Sequence, residues 1–365
     1  METVATTVEA SRTHDDASSV AMDSFNLDFL VVVTGGSKGI GKACVESFAR
    51  RGARILFTYC SDPKSAICVE VSFQPAGRVQ CRHLDQGDFN SVRAFAAEVD
   101  KWRDGRPLAV LVNNAALGVA TVSSYQGMQP AAGETAKPGG SDGAIDEAFL
   151  RAEEDMALMR VNALGPMWVT EALLPMITPR PQAKVQDSST SGSGSMQKQD
   201  RDSDDSKVAE APGRKQTVLF VGSVGGGSQS VFPAFRPADA MSKAALAYAC
   251  KHFAARSRQQ TLQAVSSSTR VGANEIKSTV DFVCLCPGAT LTDMFKASTL
   301  DKMSPTERER FVRALPQGRL IQPEEVGEAV YWMCSCPAAS IFHGAVVDAS
   351  AGLAVRPGAL TEYTF

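Results

Sequence analysis

One stretch limits the fold more than any other in this chain of 365 residues: "FLVVVTGGSKGIG", residues 29–41. A short β-branched run breaks at once into glycines. The next segment, "KACVESFARRGA", has a helical pattern and closes on Gly52. Strand, glycine turn and helix together favour dinucleotide binding. Gly35 permits a tight turn. Gly39 and Gly41 allow backbone and helix to approach a pyrophosphate, which the helix N-terminus attracts.

The rest of the chain keeps this rhythm. "RILFTYC", "RVQCRHLD", "PLAVLVNNAA", "KQTVLFVGSV", "TVDFVCLCPG" and "HGAVVDAS" are strand candidates, with helical stretches such as "FNSVRAFAAEVDKW" between them. Strands rich in Val, Leu and Ile that alternate with helices predict a parallel sheet covered on both faces. The fold class expected is α/β: a Rossmann-like doubly wound parallel sheet, one domain over residues 28–353. Three stretches rich in Ser, Gly and charge, about 117–144, 179–215 and 257–278, are expected to be flexible surface insertions. Residues 1–27 and 354–365 are read as tails.

A hydrophobic content of 44% and a net charge of −3 suit a soluble globular protein and imply no broad basic field. Nucleic acid and membrane are therefore not expected as partners. The polar, acidic N-terminus has neither the apolar centre of a secretory signal nor the arginines of a mitochondrial one, so a cytoplasmic location is expected. Of the nine cysteines, Cys284/Cys286 and Cys334/Cys336 are spaced by two. Zinc sites more often use a wider gap, and the first pair lies in a strand, so reduced, buried thiols are expected. The four histidines form no cluster, and no metal is expected.

The second strand ends in "FTYCSD". Tyr59 and Cys60 stand where an NAD site usually places an acid. Lys38, in the glycine loop, is placed to meet a 2′-phosphate. NADP(H) is favoured, while the nearby Asp62 keeps NAD(H) possible.

These features, taken in order, resemble the short-chain dehydrogenase/reductase family from about Phe29 to about Gly352. "TGGSKGIG", with Gly35, Ser37, Lys38, Gly39, Ile40 and Gly41, fits that family's cofactor loop. Asp85 fits the acid that contacts the adenine. "NNAA", with Asn113 and Ala115, fits a motif that usually ends in glycine; Ala116 departs from it. Asn162 in "VNALG" and Ser223 in "VGSVGG" fit the catalytic asparagine and serine. "PGATLTDM", with Pro287, Gly288, Thr290 and Thr292, fits the loop beside the nicotinamide. The resemblance implies NAD(P)-linked hydride transfer on a small-molecule substrate, and a homodimer or homotetramer.

The departure is in "PADAMSKAAL", residues 237–246. The family pattern is Tyr-x-x-x-Lys; here the register gives Asp239 and Lys243. The two share a helix face, and in this family the lysine also holds the nicotinamide ribose. No other tyrosine is well placed. Tyr59 belongs to the adenosine end, Tyr248 to the far side of the helix, Tyr331 to a C-terminal helix and Tyr363 to the tail. Tyr125, in the first insertion, is the one free by position to swing in, and it is not expected to substitute. A free Asp is about one part in a thousand protonated at pH 7, and a Lys243 ammonium is expected to lower its pKa further. Asp239 is thus a poor proton donor unless burial raises its pKa. As a carboxylate it suits a cationic C=N substrate. Three readings stand: an NADPH-linked reductase with altered chemistry on C=N or C=C, a carbonyl reductase with a substitute acid, and a silent NADP(H)-binding scaffold or sensor. Arg236 is read as solvated, or as a group to position an acidic substrate.

Overall fold

The computed structural model describes residues 29–73, 75–125, 143–177, 215–227, 235–266 and 280–356. The N-terminal tail, nearly all of the second insertion and the loop at 228–234 lie outside them.

Seven parallel strands form one sheet in the order β3-β2-β1-β4-β5-β6-β7. They are β1 (Leu30–Val33), β2 (Arg54–Tyr59), β3 (Val79–His83), β4 (Val110–Asn113), β5 (Gln216–Val221), β6 (Val280–Pro287) and β7 (Val346–Ala349). The order reverses between β1 and β4, and beside such a switch a crevice opens at the carboxyl ends of the strands.

Side chains alternate across the sheet with period two, so each strand serves two cores. Val31 and Val33 face helices α1 (Gly39–Arg50), α2 (Pro63–Val71) and α10 (Pro323–Ser335). Leu30 and Val32 face α3 (Phe89–Arg103), α5 (Gly165–Ile177) and α7 (Pro237–Ser266). The expected doubly wound sheet is what forms. The remaining α-helices among the described residues are α4 (Gly143–Met159), the single turn α6 (Val224–Gly227), α8 (Asp293–Ser298) and α9 (Pro305–Ala314). No helix among the described residues is long and apolar enough to cross a membrane.

Two expected insertions are shorter than the sequence suggests. Residues 117–125 are packed rather than loose: Val122 is fully buried with Leu158 and Ala238, and Leu117 and Tyr125 pack on them. Their apolar side chains are scattered among Ser and Gly, which hides the pattern. Helix α7 runs past position 257 to Ser266. "SRQQTLQAVS" is polar but holds no Gly or Pro, and Arg, Gln and Leu are good helix formers.

A buried charge cluster sits at the amino end of β6, away from the crevice. Asp281 accepts a hydrogen bond from Ser340 (2.6 Å) and lies 3.6 Å from the Lys215 ammonium and 3.3 Å from His343. Lys215 also donates to the carbonyls of Met333 and Cys336. Removing one partner of a buried pair leaves the other charge uncompensated. Asp281→Ala is therefore expected to cost about 3 kcal/mol of folding stability, measurable by urea unfolding.

Candidate active site

The glycine loop forms because β1 ends inside the sheet and α1 starts above it. Gly35 has φ 66°, and a Cβ there would lie 2.8 Å from the Ala115 Cα. A Cβ at Gly41 would lie 2.1 Å from the Gly35 carbonyl oxygen. The backbones leave no room for a side chain at either position. Lys38, the N-cap of α1, makes no side-chain cap bond, and no acid lies in the first turn. The helix therefore presents its N–H groups and positive dipole end to the crevice, as a pyrophosphate requires.

The loop is held by residues the sequence reading passed over. Thr34 Oγ1 accepts from the backbone N–H groups of Asn114 and Ala115, each at 3.0 Å. Asn114 Nδ2 donates to the carbonyls of Thr34 and Gly35. Gly35 N–H donates to Thr58 Oγ1. Asn113 points elsewhere: it is buried and donates to Thr170 Oγ1 on α5 at 2.9 Å. Gln86, also buried, donates to the carbonyls of Ala115 and Val161, which joins this loop to the helix bearing Asn162.

At the adenosine end, Lys38 is engaged. Its ammonium lies 2.5 Å from Asp62 Oδ2, and Asp62 caps α2 through the N–H of Ser65. The Lys38 contact, then the Ser65 bonds, hold the Asp62 carboxyl well below the usual range. Tyr59 packs edge-on to His83, and Cys60 is exposed beside them. Asp85 accepts from the Gly87 N–H and from the Tyr125 hydroxyl. Tyr125 is thus committed to Asp85, not to the site around Asp239.

Asn162 lies in a π-helical turn, Arg160–Leu164, between α4 and α5. Its Oδ1 accepts from the Leu117 N–H (2.7 Å) and its Nδ2 donates to the Leu117 carbonyl (2.9 Å). Ser223 follows β5, and its Oγ accepts from the Gly225 N–H at 3.2 Å. The loop then presses onto α7: a Cβ at Gly226 would meet the Ala240 carbonyl oxygen at 2.2 Å. This contact sets Ser223 against the helix that carries Asp239 and Lys243.

Asp239 and Lys243 are each half-buried. Burial pushes the Asp239 carboxyl above its ordinary range, against the pull of Lys243 and Arg236. Burial, the exception the sequence reading allowed for, outweighs the lysine here. Burial likewise lowers the Lys243 ammonium, against the pull of Asp239 and of the thiols Cys284 and Cys286 below it. Those two thiols are buried, 3.9 Å apart, and share a face as expected. Arg236 is neither solvated nor open to a substrate: it pairs with Asp155 (2.6 Å) and Glu154 on α4.

The loop after β6 closes the other side. A Cβ at Gly288 would meet the Ser350 carbonyl oxygen at 2.7 Å, and Thr290 Oγ1 donates to the Gly288 carbonyl. Thr292 caps α8 by accepting from the Phe295 N–H, and its methyl lies over Gly39. Met294 touches Gly118. Pro287 to Met294 therefore reach both the glycine loop and the loop after β4.

Comparison with known proteins agrees with the fold. Residues 30–198 match the short chain dehydrogenase family, and residues 260–354 match the family described as enoyl-(acyl carrier protein) reductase. A probable galactose dehydrogenase of Rhizobium meliloti is 42% identical over 88 residues, 24% of this chain and 33% of that protein. The match thus spans about a third of that relative's length. The oxidoreductase UcpA of Salmonella typhimurium is 27% identical over 83% of this chain and 86% of its own. The structure of a short chain dehydrogenase from Burkholderia cenocepacia, solved in complex with NADP, has the same fold, with a TM-score of 0.58 and 18% identity; the alignment covers 89% of this chain and 97% of that one.

Proposed function

We propose that this chain, which belongs to the short-chain dehydrogenase/reductase family, is an NADP(H)-linked reductase of a small organic substrate bearing C=O, C=N or C=C. The observation that carries this reading is the glycine loop after β1, where Gly35 and Gly41 leave no room for a side chain, in the same fold as a Ser223 loop pressed onto the helix that bears Asp239 and Lys243.

Gly35, Ser37, Gly39, Ile40 and Gly41 would hold the pyrophosphate, with Lys38, Tyr59 and Cys60 at the 2′-phosphate and Asp85 and Ala115 at the base. Pro287, Gly288, Thr290 and Thr292 would face the nicotinamide, and Lys243 its ribose. The cofactor, when bound, supplies hydride. A raised carboxyl carries a proton at higher pH than a free one, and Asp239, on the first turn of α7, would be the donor to a carbonyl oxygen. Ser223 accepts from Gly225 and keeps its own hydroxyl proton to donate to the same oxygen. A proton held to higher pH is what the carbonyl reductase with a substitute acid requires among the three readings. The pH profile tests it. A proton donor loses rate as pH rises through the Asp239 pKa, whereas a carboxylate that holds a cationic C=N gains rate over the same window.

NADP(H) is preferred over NAD(H) in this reading because Lys38 offers a cation and Tyr59 and Cys60 offer no acid. The NADP-bound Burkholderia cenocepacia neighbour is consistent with it. Asp62 opposes it by holding Lys38. Asp62→Asn is expected to raise the NADPH-to-NADH affinity ratio by roughly fivefold, the size of one close solvated charge pair, as read by calorimetry. A homodimer or homotetramer in the cytoplasm is the setting proposed. The silent scaffold or sensor has one observation in its favour: both polar atoms of the Asn162 side chain are spent on Leu117. It requires NADPH binding with no turnover of ketones, imines or enones.

A further inference from the structure

The geometry points to Tyr125 as a residue that sets base specificity in the cofactor site: its phenol occupies the Asp85 carboxylate that would otherwise read a purine's exocyclic amine. This rests on the dinucleotide reading above and concerns its adenosine end.

The Tyr125 hydroxyl lies 2.8 Å from Asp85 Oδ1 and 2.9 Å from Oδ2, so it bridges both oxygens. The Gly87 N–H donates to Oδ1 as well, at 2.9 Å. A carboxylate only accepts, and the side facing Tyr125 is filled. The arrangement is built in. The Tyr125 N–H donates to the Val122 carbonyl, which closes a helical turn, and the ring packs with Leu117 on buried Val122 and Leu158. At Gly87 a Cβ would lie 2.4 Å from the Tyr125 hydroxyl and 2.8 Å from Val161, so the ring passes through a gap that glycine leaves. Burial and the Asp85 charge push the Tyr125 phenol up, so it stays a donor.

An exocyclic amine entering this slot finds both Asp85 oxygens already sharing the phenol proton, with the Gly87 N–H on Oδ1 as well. It gains little there. The base is held by shape and stacking instead, and a purine with a carbonyl in place of the amine is accepted nearly as well. With the phenol removed, Asp85 has one donor fewer and its charge is less shared. It then favours the amine and repels the carbonyl.

The test is calorimetric binding of NADPH and of its hypoxanthine counterpart, in which oxygen replaces the amine, to the full chain and to Tyr125→Phe. The wild type is expected to bind the two within about threefold. Tyr125→Phe is expected to prefer NADPH by about tenfold, the worth of one hydrogen bond to a charged group. Asp85→Asn, which removes the charge, is expected to leave the wild-type ratio within about threefold. A wild-type preference for NADPH of tenfold or more, lost in Asp85→Asn, overturns the proposal alone. Failure of the wild type to bind either dinucleotide overturns the dinucleotide reading and this proposal with it.

Discussion

Asp239→Asn is expected to lower NADPH-linked turnover by at least about 100-fold, the usual worth of a positioned proton donor, and to leave NADPH affinity within about threefold. Asparagine keeps the shape but carries no transferable acidic proton. The carboxyl sits on the first turn of α7, where Ser242 Oγ donates to the Asp239 carbonyl and the Asp239 N–H donates to the Arg236 carbonyl. The substitution leaves that backbone frame intact. The separation of rate from affinity distinguishes a reacting group from a cofactor contact. Asp239→Tyr is the complementary experiment. If the surrounding site is a complete reductase site, the phenol sustains ketone reduction in place of the carboxyl. The remaining pH dependence should then move upward, because a tyrosine titrates near pH 10 rather than in the carboxylic range.

Gly41→Ala is expected to abolish measurable NADPH binding, an effect of at least about 100-fold in affinity. The added methyl would lie 2.1 Å from the Gly35 carbonyl oxygen and 2.4 Å from Asn114 Nδ2. Main-chain atoms cannot swing aside as a flexible side chain can. The glycine loop must move away from α1, and it takes the pyrophosphate cradle with it. The same motion breaks the Asn114 bonds to Thr34 and Gly35, so a lower thermal midpoint should accompany the lost binding. Calorimetry against NADPH and a melting curve on the same sample read both effects.

Much of the architecture was legible because each strand is a run of Val, Leu, Ile or Phe bounded by glycine or a charged turn. "LVVV" and "TVDFVCLCPG" can lie only in a sheet covered on both sides. The site was legible where one residue type has one use, as with Gly35, Gly39 and Gly41. It was illegible where register decides. Asn113 and Asn114 are neighbours, and successive side chains leave a strand on opposite faces. Asn113 turns to Thr170 while Asn114 ties the glycine loop. Contacts across long sequence separations were also hidden. Tyr125 meets Asp85 from 40 residues away, and Arg236 meets Asp155 from 81. Nothing local in either segment marks the partner. The sign of the Asp239 shift was hidden for a further reason. Lys243 four residues on lowers a carboxyl pKa, burial raises it, and sequence gives the first without the second.

The most direct measurement of the central claim is calorimetric titration of the full chain with NADPH, followed in the same sample by NADPH oxidation with a ketone, a cyclic imine and an enone. The proposed reductase binds NADPH more tightly than NADH and oxidises it with at least one of these, and the rate with a ketone falls as pH rises. Tight binding with no turnover of any class would contradict the enzymatic reading and leave a cofactor-binding scaffold. Absence of binding would contradict the cofactor site itself.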